Sequence, residues 1–235
     1  MLEQAIHAFA TLFVTIGPVD IASLFIALSA KADDSARQHM ALRGTAISAS
    51  VLFTFALGGA YLLNALGIGM PAFRIAGGIL LLLLAIEMVF ARHSGLSALT
   101  MTEDQEAHRK HDVSVFPLAI PLIAGPGAIT SIILLMGEVK GKLYGQLLVL
   151  MMLTLVLLLT LLSLLVASRI VKLFGVTGVN VITRVLGILL AALAAQYVLD
   201  GLQESGVLLG GDRISWFVEQ ECLSGRVLAG IPAAG

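Results

Sequence analysis

Six apolar stretches, each long enough to cross a lipid bilayer, limit what this chain can fold into. A helix needs about 20 apolar residues to cross the hydrocarbon core, more than most soluble helices provide. Only helices and closed β-barrels satisfy their backbone hydrogen bonds in lipid, and stretches of this length indicate helices. The predicted spans cover residues 5–30, 42–65, 72–91, 114–136, 144–167 and 183–203.

The composition agrees with an all-α membrane protein. Of the 235 residues, 58% are hydrophobic and 12% are charged, whereas a soluble domain carries about twice that charged fraction. The net charge of −1 gives no support for nucleic acid as a partner, and the single cysteine, Cys222, excludes a disulfide within the chain. We predict one membrane domain over residues 1–203, in contact with the lipid bilayer, and an extramembrane tail over 204–235.

The loops between the predicted spans differ in positive charge. Those on one side of the membrane carry nine Lys and Arg residues, and those on the other side carry five. Cytoplasmic loops are enriched in these residues, so the bias predicts that both termini lie outside the cytoplasm. The first span lacks the basic flank and cleavage site of a signal peptide, and we interpret it as a membrane helix.

The two halves of the chain resemble each other. The segment IGPVDIASLF, at 16–25, matches AGPGAITSII, at 124–133, and RIAGGIL and RVLGILL follow at nearly the same spacing. Each half, 5–91 and 114–203, holds three predicted spans. An odd number of spans turns the second copy upside down in the membrane. The sequence therefore predicts an inverted repeat, which is characteristic of secondary transporters.

A Gly-Pro pair interrupts the first and the fourth predicted span, at Gly17-Pro18 and Gly125-Pro126-Gly127. Proline has no N–H and cannot continue the helical hydrogen bonds, so each break frees carbonyls that must face protein or water. The helix that restarts after the break begins with free N–H groups, which suit a carboxylate. Paired breaks at matching positions predict a substrate site, and the alternative is a pair of simple kinks.

Polar side chains follow both breaks. Asp20 stands close to mid-membrane, where it either neutralises its own helix start or binds an ammonium group or a cation. The second half has Ala128 at the matching position. This asymmetry predicts a zwitterion site, with the ammonium at Asp20 and the carboxylate at the second break. The predicted substrate-binding residues are Gly17, Pro18, Asp20, Ser23, Gly125, Pro126, Gly127, Thr130 and Ser131.

Other polar residues in or near the spans are predicted to have structural roles. Glu87 is predicted to reach headgroup water at the end of the third span. Arg74 and Arg184 are predicted to cap helix ends or snorkel, with a gate ion pair as the alternative. Asn180 is predicted to cap the sixth helix, and Asp200 to form hydrogen bonds between helices.

No metal, cofactor or catalytic site is expected. The longest loop holds His93, His108 and His111, without a cysteine or carboxylate set at zinc spacing. No Walker loop, nucleophile elbow or HExxH motif occurs, so we expect neither an enzyme nor an ATP-driven pump.

Three segments resemble the MarC family of six-span inner-membrane proteins, some of which are described as SnatA-like neutral amino-acid transporters. In the first span, Gly17, Asp20 and Ser23 stand where the family usually has an acid or amide, a glycine and a proline, and the fourth-span motif matches closely. The resemblance covers about residues 5–203, and its segments are FRIAGGILLLLLAIEMVF, VFPLAIPLIAGPGAITSIILL and TGVNVITRVLGILLAALAAQYVLDGL.

This resemblance implies transport of small neutral amino acids, such as glycine or alanine, across the bacterial inner membrane by rocking of one repeat against the other. Two alternatives stay open. One is another small metabolite or a cation as cargo, which Asp20 allows. The other is a membrane-stress scaffold that transports nothing and has no cavity at the breaks. The sequence allows a homo-oligomer and leaves the coupling ion open between a proton and sodium.

Overall fold

The structure is a computed structural model that describes residues 2–29, 32–90 and 114–206. The three loop histidines and the tail beyond residue 206 lie outside these described residues. Within them the chain is helical and forms no strand, which confirms the all-α class. The helices are α1 (Leu2–Ile16), α2 (Pro18–Leu28), α3 (Asp34–Ala65), α4 (Met70–Phe90), α5 (Ser114–Ile123), α6 (Pro126–Glu138), α7 (Leu143–Leu165) and α8 (Ala167–Glu204).

Five helical segments of the described residues are long and apolar enough to cross a membrane. The fourth predicted span is different, because it consists of two short helices. α5 is a π-helix of 10 residues and α6 is an apolar α-helix of 13 residues, and neither is long enough to span alone. The five long segments are Leu2–Ile26, Asp34–Ala65, Met70–Phe90, Leu143–Leu165 and Gly178–Glu204.

The last helix begins earlier than expected. α8 runs over 38 residues from Ala167, and no proline interrupts it. Asn180 therefore lies inside the helix, and the prediction that it caps the helix is wrong. Asp200 accepts a hydrogen bond of 2.8 Å from the Gln196 amide one turn earlier on the same helix. The predicted role of Asp200 in bonding between helices is therefore not the one observed.

Large apolar side chains on α7 point away from the bundle. Leu147, Met151, Leu158 and Leu162 recur every four or seven residues and are each more than half exposed. Such a stripe would be unfavourable in water, whereas lipid tails solvate it as well as a protein core would. The outer surface of this helix therefore suits contact with lipid.

Among the described residues, the most extensive helix contact is that of α4 with α8, and glycines make it possible. A Cβ built on Gly78 would lie 2.8 Å from the Ala194 carbonyl oxygen. A Cβ on Gly187 would lie 3.1 Å from the Ala85 carbonyl oxygen. Because small residues let membrane helices approach backbone to backbone, these positions lock α4 against α8.

The other packing contacts surround the two broken segments. The first, α1 and α2, packs against α7, and α2 also packs against α8. The second, α5 and α6, packs against α3, and α6 also packs against α4. α1 contacts α6, and α2 contacts α5. The two Gly-Pro breaks consequently face each other inside the bundle.

Candidate functional site

The first break occurs where the backbone turns at Gly17. Its φ of 64° is left-handed, a conformation that favours glycine. The Gly17 N–H donates to the Phe13 carbonyl at 3.0 Å, and the Ile21 N–H donates to the Gly17 carbonyl at 3.0 Å. Pro18 has no N–H to offer the Val14 carbonyl, so the helical hydrogen bonds are interrupted between these two points. Carbonyl groups are thus exposed at the end of α1.

At the second break a proline again interrupts the helical hydrogen bonds, but here the interruption follows a π-helix. The Ala124 N–H donates to the Ala119 carbonyl at 2.9 Å, which closes the π-helix α5. Pro126 cannot continue this pattern to the Pro121 carbonyl, because it has no N–H. A Cβ on Gly125 would lie 2.6 Å from the Pro121 carbonyl oxygen, so this position has no room for a side chain. The break therefore requires its glycine.

Two adjoining cavities lie at these breaks. The larger, of about 120 Å³, is lined by Gly17, Asp20 and the last residues of α1. The smaller, of about 40 Å³, is lined by Gly125, Pro126 and Gly127. The cavities share four wall residues, Thr15, Leu84, Pro121 and Leu122. The cavities at the breaks of the two halves thus adjoin through a common wall.

Six of the nine predicted site residues line these cavities, and three do not. Gly17, Asp20 and Ser23 line the larger cavity, and Gly125, Pro126 and Gly127 line the smaller one. The remaining three, Pro18, Thr130 and Ser131, line neither.

Thr130 and Ser131 lie one turn beyond the cavity. The Thr130 Cγ2 methyl packs against α4, where a Cβ on Gly77 would lie 2.5 Å from it. Ser131 is fully buried, and its hydroxyl has no hydrogen-bond partner among the described residues. Neither hydroxyl is positioned in this conformation to assist a ligand at the second break.

The Asp20 carboxylate lies over the start of α2. Its Oδ2 atom would be 3.6 Å from a Cβ on Gly17, and its Oδ1 atom accepts a hydrogen bond from the Thr183 hydroxyl of α8. The Ser23 hydroxyl donates to the Asp20 carbonyl at 2.7 Å. The carboxylate thus lies in the first turn of α2, at the positive end of the helix dipole, and accepts a hydrogen bond from a second helix.

Three polar residues that sequence reasoning assigned elsewhere, or passed over, line the larger cavity with Asp20. They are Glu87 of α4 and Asn180 and Thr183 of α8. Glu87 and Asn180 are polar residues within apolar helices, a pattern that indicates function by default and was the available signal. Thr183 gave no such signal, because threonine is common in membrane helices. Within the described residues, no group of three or more His, Cys, Asp or Glu is positioned to hold a metal ion.

A second polar cluster lies at the opposite end of α4. The almost fully buried Arg74 forms an ion pair of 2.6 Å with Glu204 of α8. His7 of α1 stands 4.0 Å from Glu138 of α6. These pairs connect four helices at one end of the bundle. Arg184, the counterpart of Arg74 in the second half, is exposed on α8.

Comparison with known proteins identifies the family. The model of the MarC family of integral membrane proteins matches residues 2–205. The chain belongs to the MarC family. It is accordingly an integral, multi-pass membrane protein. The MarC description names no substrate.

Relatives of this MarC protein occur in archaea and bacteria. It is 33% identical to the UPF0056 membrane protein MJ1677 of Methanocaldococcus jannaschii, an alignment that covers 88% of this chain and 99% of the relative. It is 34% identical to a UPF0056 membrane protein of Archaeoglobus fulgidus, over 84% of this chain and 91% of the relative. It is 33% identical to the UPF0056 membrane protein YhcE of Escherichia coli, over 83% and 90%. No solved structure is significantly similar to this MarC protein.

Proposed function

We propose that this chain is a secondary transporter of small neutral amino acids, of the glycine and alanine class, and not an enzyme. The observation that carries the proposal is the meeting of two proline-broken helices, from different halves of the chain, at adjoining cavities inside the bundle. Broken helices at matching positions are the usual way in which transporters expose backbone groups to a substrate. A cavity at both breaks also weighs against a packed scaffold.

Recognition of a zwitterion would use opposite ends of two helices. The ammonium group would lie at Asp20 and the carbonyls that end α1, both of which carry negative charge or partial charge. The carboxylate would lie at the first turn of α6, beside the N–H groups of Gly127 and Ala128. Thr15 lines both cavities and stands between the two charged ends. These contacts need no help from Thr130 and Ser131.

The transport proposal includes six membrane crossings arranged as an inverted repeat. α5 and α6 would together make the fourth crossing. The packing is consistent with such a repeat, because the second crossing of each half packs on the broken helix of the other half. α3 packs on α5 and α6, and α7 packs on α1 and α2. α4 and α8, which would be the third and sixth crossings, pack on each other. In this arrangement one repeat rocks against the other, in the bacterial inner membrane, with both termini outside the cytoplasm.

A coupling ion would drive the cycle, either a proton or sodium. Asp20 and Glu87 line the same cavity, and carboxylates inside a membrane-spanning bundle commonly mark ion or proton pathways. The same pair favours a second candidate function, in which the cargo itself is a small cation. A thermal-shift panel of amino acids and cations on the purified protein would separate these functions, because a shift with amino acids favours the main proposal, whereas a shift with cations alone favours the second candidate.

Counterflow in proteoliposomes tests the main proposal. Vesicles loaded with unlabelled alanine should take up external radiolabelled alanine or glycine transiently above equilibrium, and empty vesicles should not. Folded protein that gives no counterflow with any neutral amino acid would contradict the proposal. Counterflow of a cation without any amino acid would favour the second candidate.

A further inference from the structure

The Leu84 side chain lies in the wall between the two cavities. It extends from α4 and lines both of them. A Cβ built on Gly127 would lie 2.7 Å from the Leu84 Cδ2 methyl, closer than carbon atoms approach in van der Waals contact. The methyl group therefore rests on the first turn of α6, at the position that the proposed function gives to a carboxylate.

Two polar half-sites flank this apolar side chain. Asp20 and the end of α1 lie in the larger cavity, and the start of α6 lies in the smaller one. A zwitterion that reaches both half-sites has its ammonium and carboxylate groups fixed, and its backbone passes beside Leu84. Its side chain then competes with the isobutyl group of Leu84 for the space that is left.

We propose that Leu84 sets the upper limit on the size of the substrate side chain, an inference that rests on the proposed function. The larger cavity measures about 120 Å³ and the smaller one about 40 Å³. A dry cavity of about 150 Å³ holds benzene, which has about six non-hydrogen atoms, the same number as alanine. With Leu84 in place the site therefore accommodates glycine and alanine but excludes substrates of the size of leucine or methionine.

Substitution of Leu84 by alanine should widen the range of substrates. The change removes three carbon atoms from the common wall and joins the cavities. One methylene group in an apolar pocket changes selectivity by about 10-fold or more. We therefore expect the ratio of leucine to alanine counterflow to rise at least about tenfold in Leu84→Ala.

Two variants control for stability and for volume. Leu83→Ala makes the same change at the next residue, whose side chain is 45% exposed on the outer side of α4. Leu84→Met keeps the volume of the wall. Leu83→Ala should retain the wild-type ratio of leucine to alanine, and Leu84→Met should shift this ratio much less than Leu84→Ala does. Leu84→Val removes less volume and repeats the test with a smaller shift if Leu84→Ala does not fold.

A substitution on the facing helix tests the same contact in the opposite direction. Gly127→Ala pushes the Leu84 methyl into the larger cavity, because its Cβ would otherwise overlap Cδ2. This variant should lower alanine exchange more than glycine exchange. The double variant Gly127→Ala/Leu84→Ala removes the overlap and should recover alanine exchange.

The outcomes separate this inference from the function on which it rests. Wild-type protein that exchanges alanine, with a widened range in Leu84→Ala and recovery in the double variant, supports both. Wild-type protein that exchanges alanine while Leu84→Ala keeps the same ratio overturns the role of Leu84 alone. Wild-type protein that exchanges no amino acid overturns both.

Discussion

The position of the Asp20 carboxylate suits two roles, one structural and one in ligand binding. It lies at the start of its own helix, where it stabilises the dipole, and it lines a cavity large enough for a small ligand. Its hydrogen bond from Thr183 joins α2 to α8. A group in this position can hold a cation without any rearrangement of its own.

Asp20→Asn should weaken substrate binding. Loss of a charge-assisted contact costs about 1.5–3 kcal/mol, which corresponds to roughly a 10- to 150-fold rise in Kd for alanine. Titration calorimetry with alanine on the purified protein measures this change. Thr183→Val is the matched variant, since it removes the donor and keeps the charge, and its effect should be several-fold at most. An unchanged Kd in Asp20→Asn would show that the carboxylate only stabilises α2.

The site residues that sequence reasoning missed depend on helix packing. Asp20 and Ser23 could be predicted because they follow a Gly-Pro break along the chain. Glu87 and Thr183 come from two other helices, and only the packing of α4 on α8 and of α8 on α2 brings them to the cavity. Thr130 is on the predicted face of α6, but Gly77 lets α4 approach so closely that the threonine methyl fills the space. Sequence spacing alone does not carry this information.

The helix breaks differ in how strictly they require glycine. Gly17 needs a left-handed backbone, which other residues adopt at a cost of about 1 kcal/mol. Gly125 has an ordinary φ, but a Cβ there would meet a carbonyl oxygen that belongs to the backbone and cannot turn away. The second break is thus the less tolerant one.

Gly125→Ala should destabilise the protein by about 1–3 kcal/mol, because the backbone of α5 must shift to admit the methyl group. Gly58→Ala is the matched control. Gly58 lies inside α3 with no atom within 4 Å of its built Cβ, so alanine there should leave stability unchanged or raise it by about 0.5–1 kcal/mol. Thermal unfolding in detergent ranks the two. Equal unfolding temperatures would contradict the close approach at Pro121.

The ion pair between Arg74 and Glu204 fastens the first turns of α4 to the end of α8. Arg74 is almost fully buried, whereas Glu204 is about half exposed, so the pair falls between buried and surface cases. Arg74→Ala should therefore destabilise the protein by about 1–2 kcal/mol. Arg184→Ala, at an exposed position on α8, should have little effect. Similar losses in both variants would mean that charge, and not this contact, is responsible.

Most helices could be predicted from hydropathy, because long apolar runs have few other stable arrangements in lipid. The extra turns of α8 were missed, since its first residues are more polar and hydropathy marks only the part inside the bilayer. The π-helix α5 was missed as well. Its hydrogen bond from Ala124 to Ala119 replaces the ordinary spacing of four residues by five, and no residue pattern predicts that change.

The bundle has polar residues toward both ends of α4. Ion pairs join the helices at one end, whereas a cavity lies toward the other. One end carries the ion pairs of Arg74 and His7. Toward the other end, Ser23 and Glu87 line the larger cavity. The positive charge of the loops predicts that this second end faces the cytoplasm. The larger cavity should accordingly be reached more readily from the cytoplasmic side.

Cysteine labelling tests this asymmetry. In a Cys222→Ser background, Ser23→Cys should react with a membrane-impermeant maleimide in inside-out vesicles, because Ser23 lines the cavity. Ser131→Cys is the control and should not react, since Ser131 is fully buried and lines neither cavity. Reaction of Ser23→Cys only in right-side-out vesicles would overturn the predicted orientation. Equal reaction at both positions would contradict the buried state of Ser131.

The break at Gly125, like the one at Gly17, limits how substitutions can change the site during evolution. Most of the polar groups at the two breaks belong to the main chain, which every amino acid carries. A point mutation to any residue except proline can therefore alter the shape of the recess but cannot delete these groups. In the proposed transporter, selection for a different substrate would act on the hydrocarbon walls and on the carboxylates of Asp20 and Glu87. Homologous proteins could thus retain the same backbone at the breaks while their substrates differ.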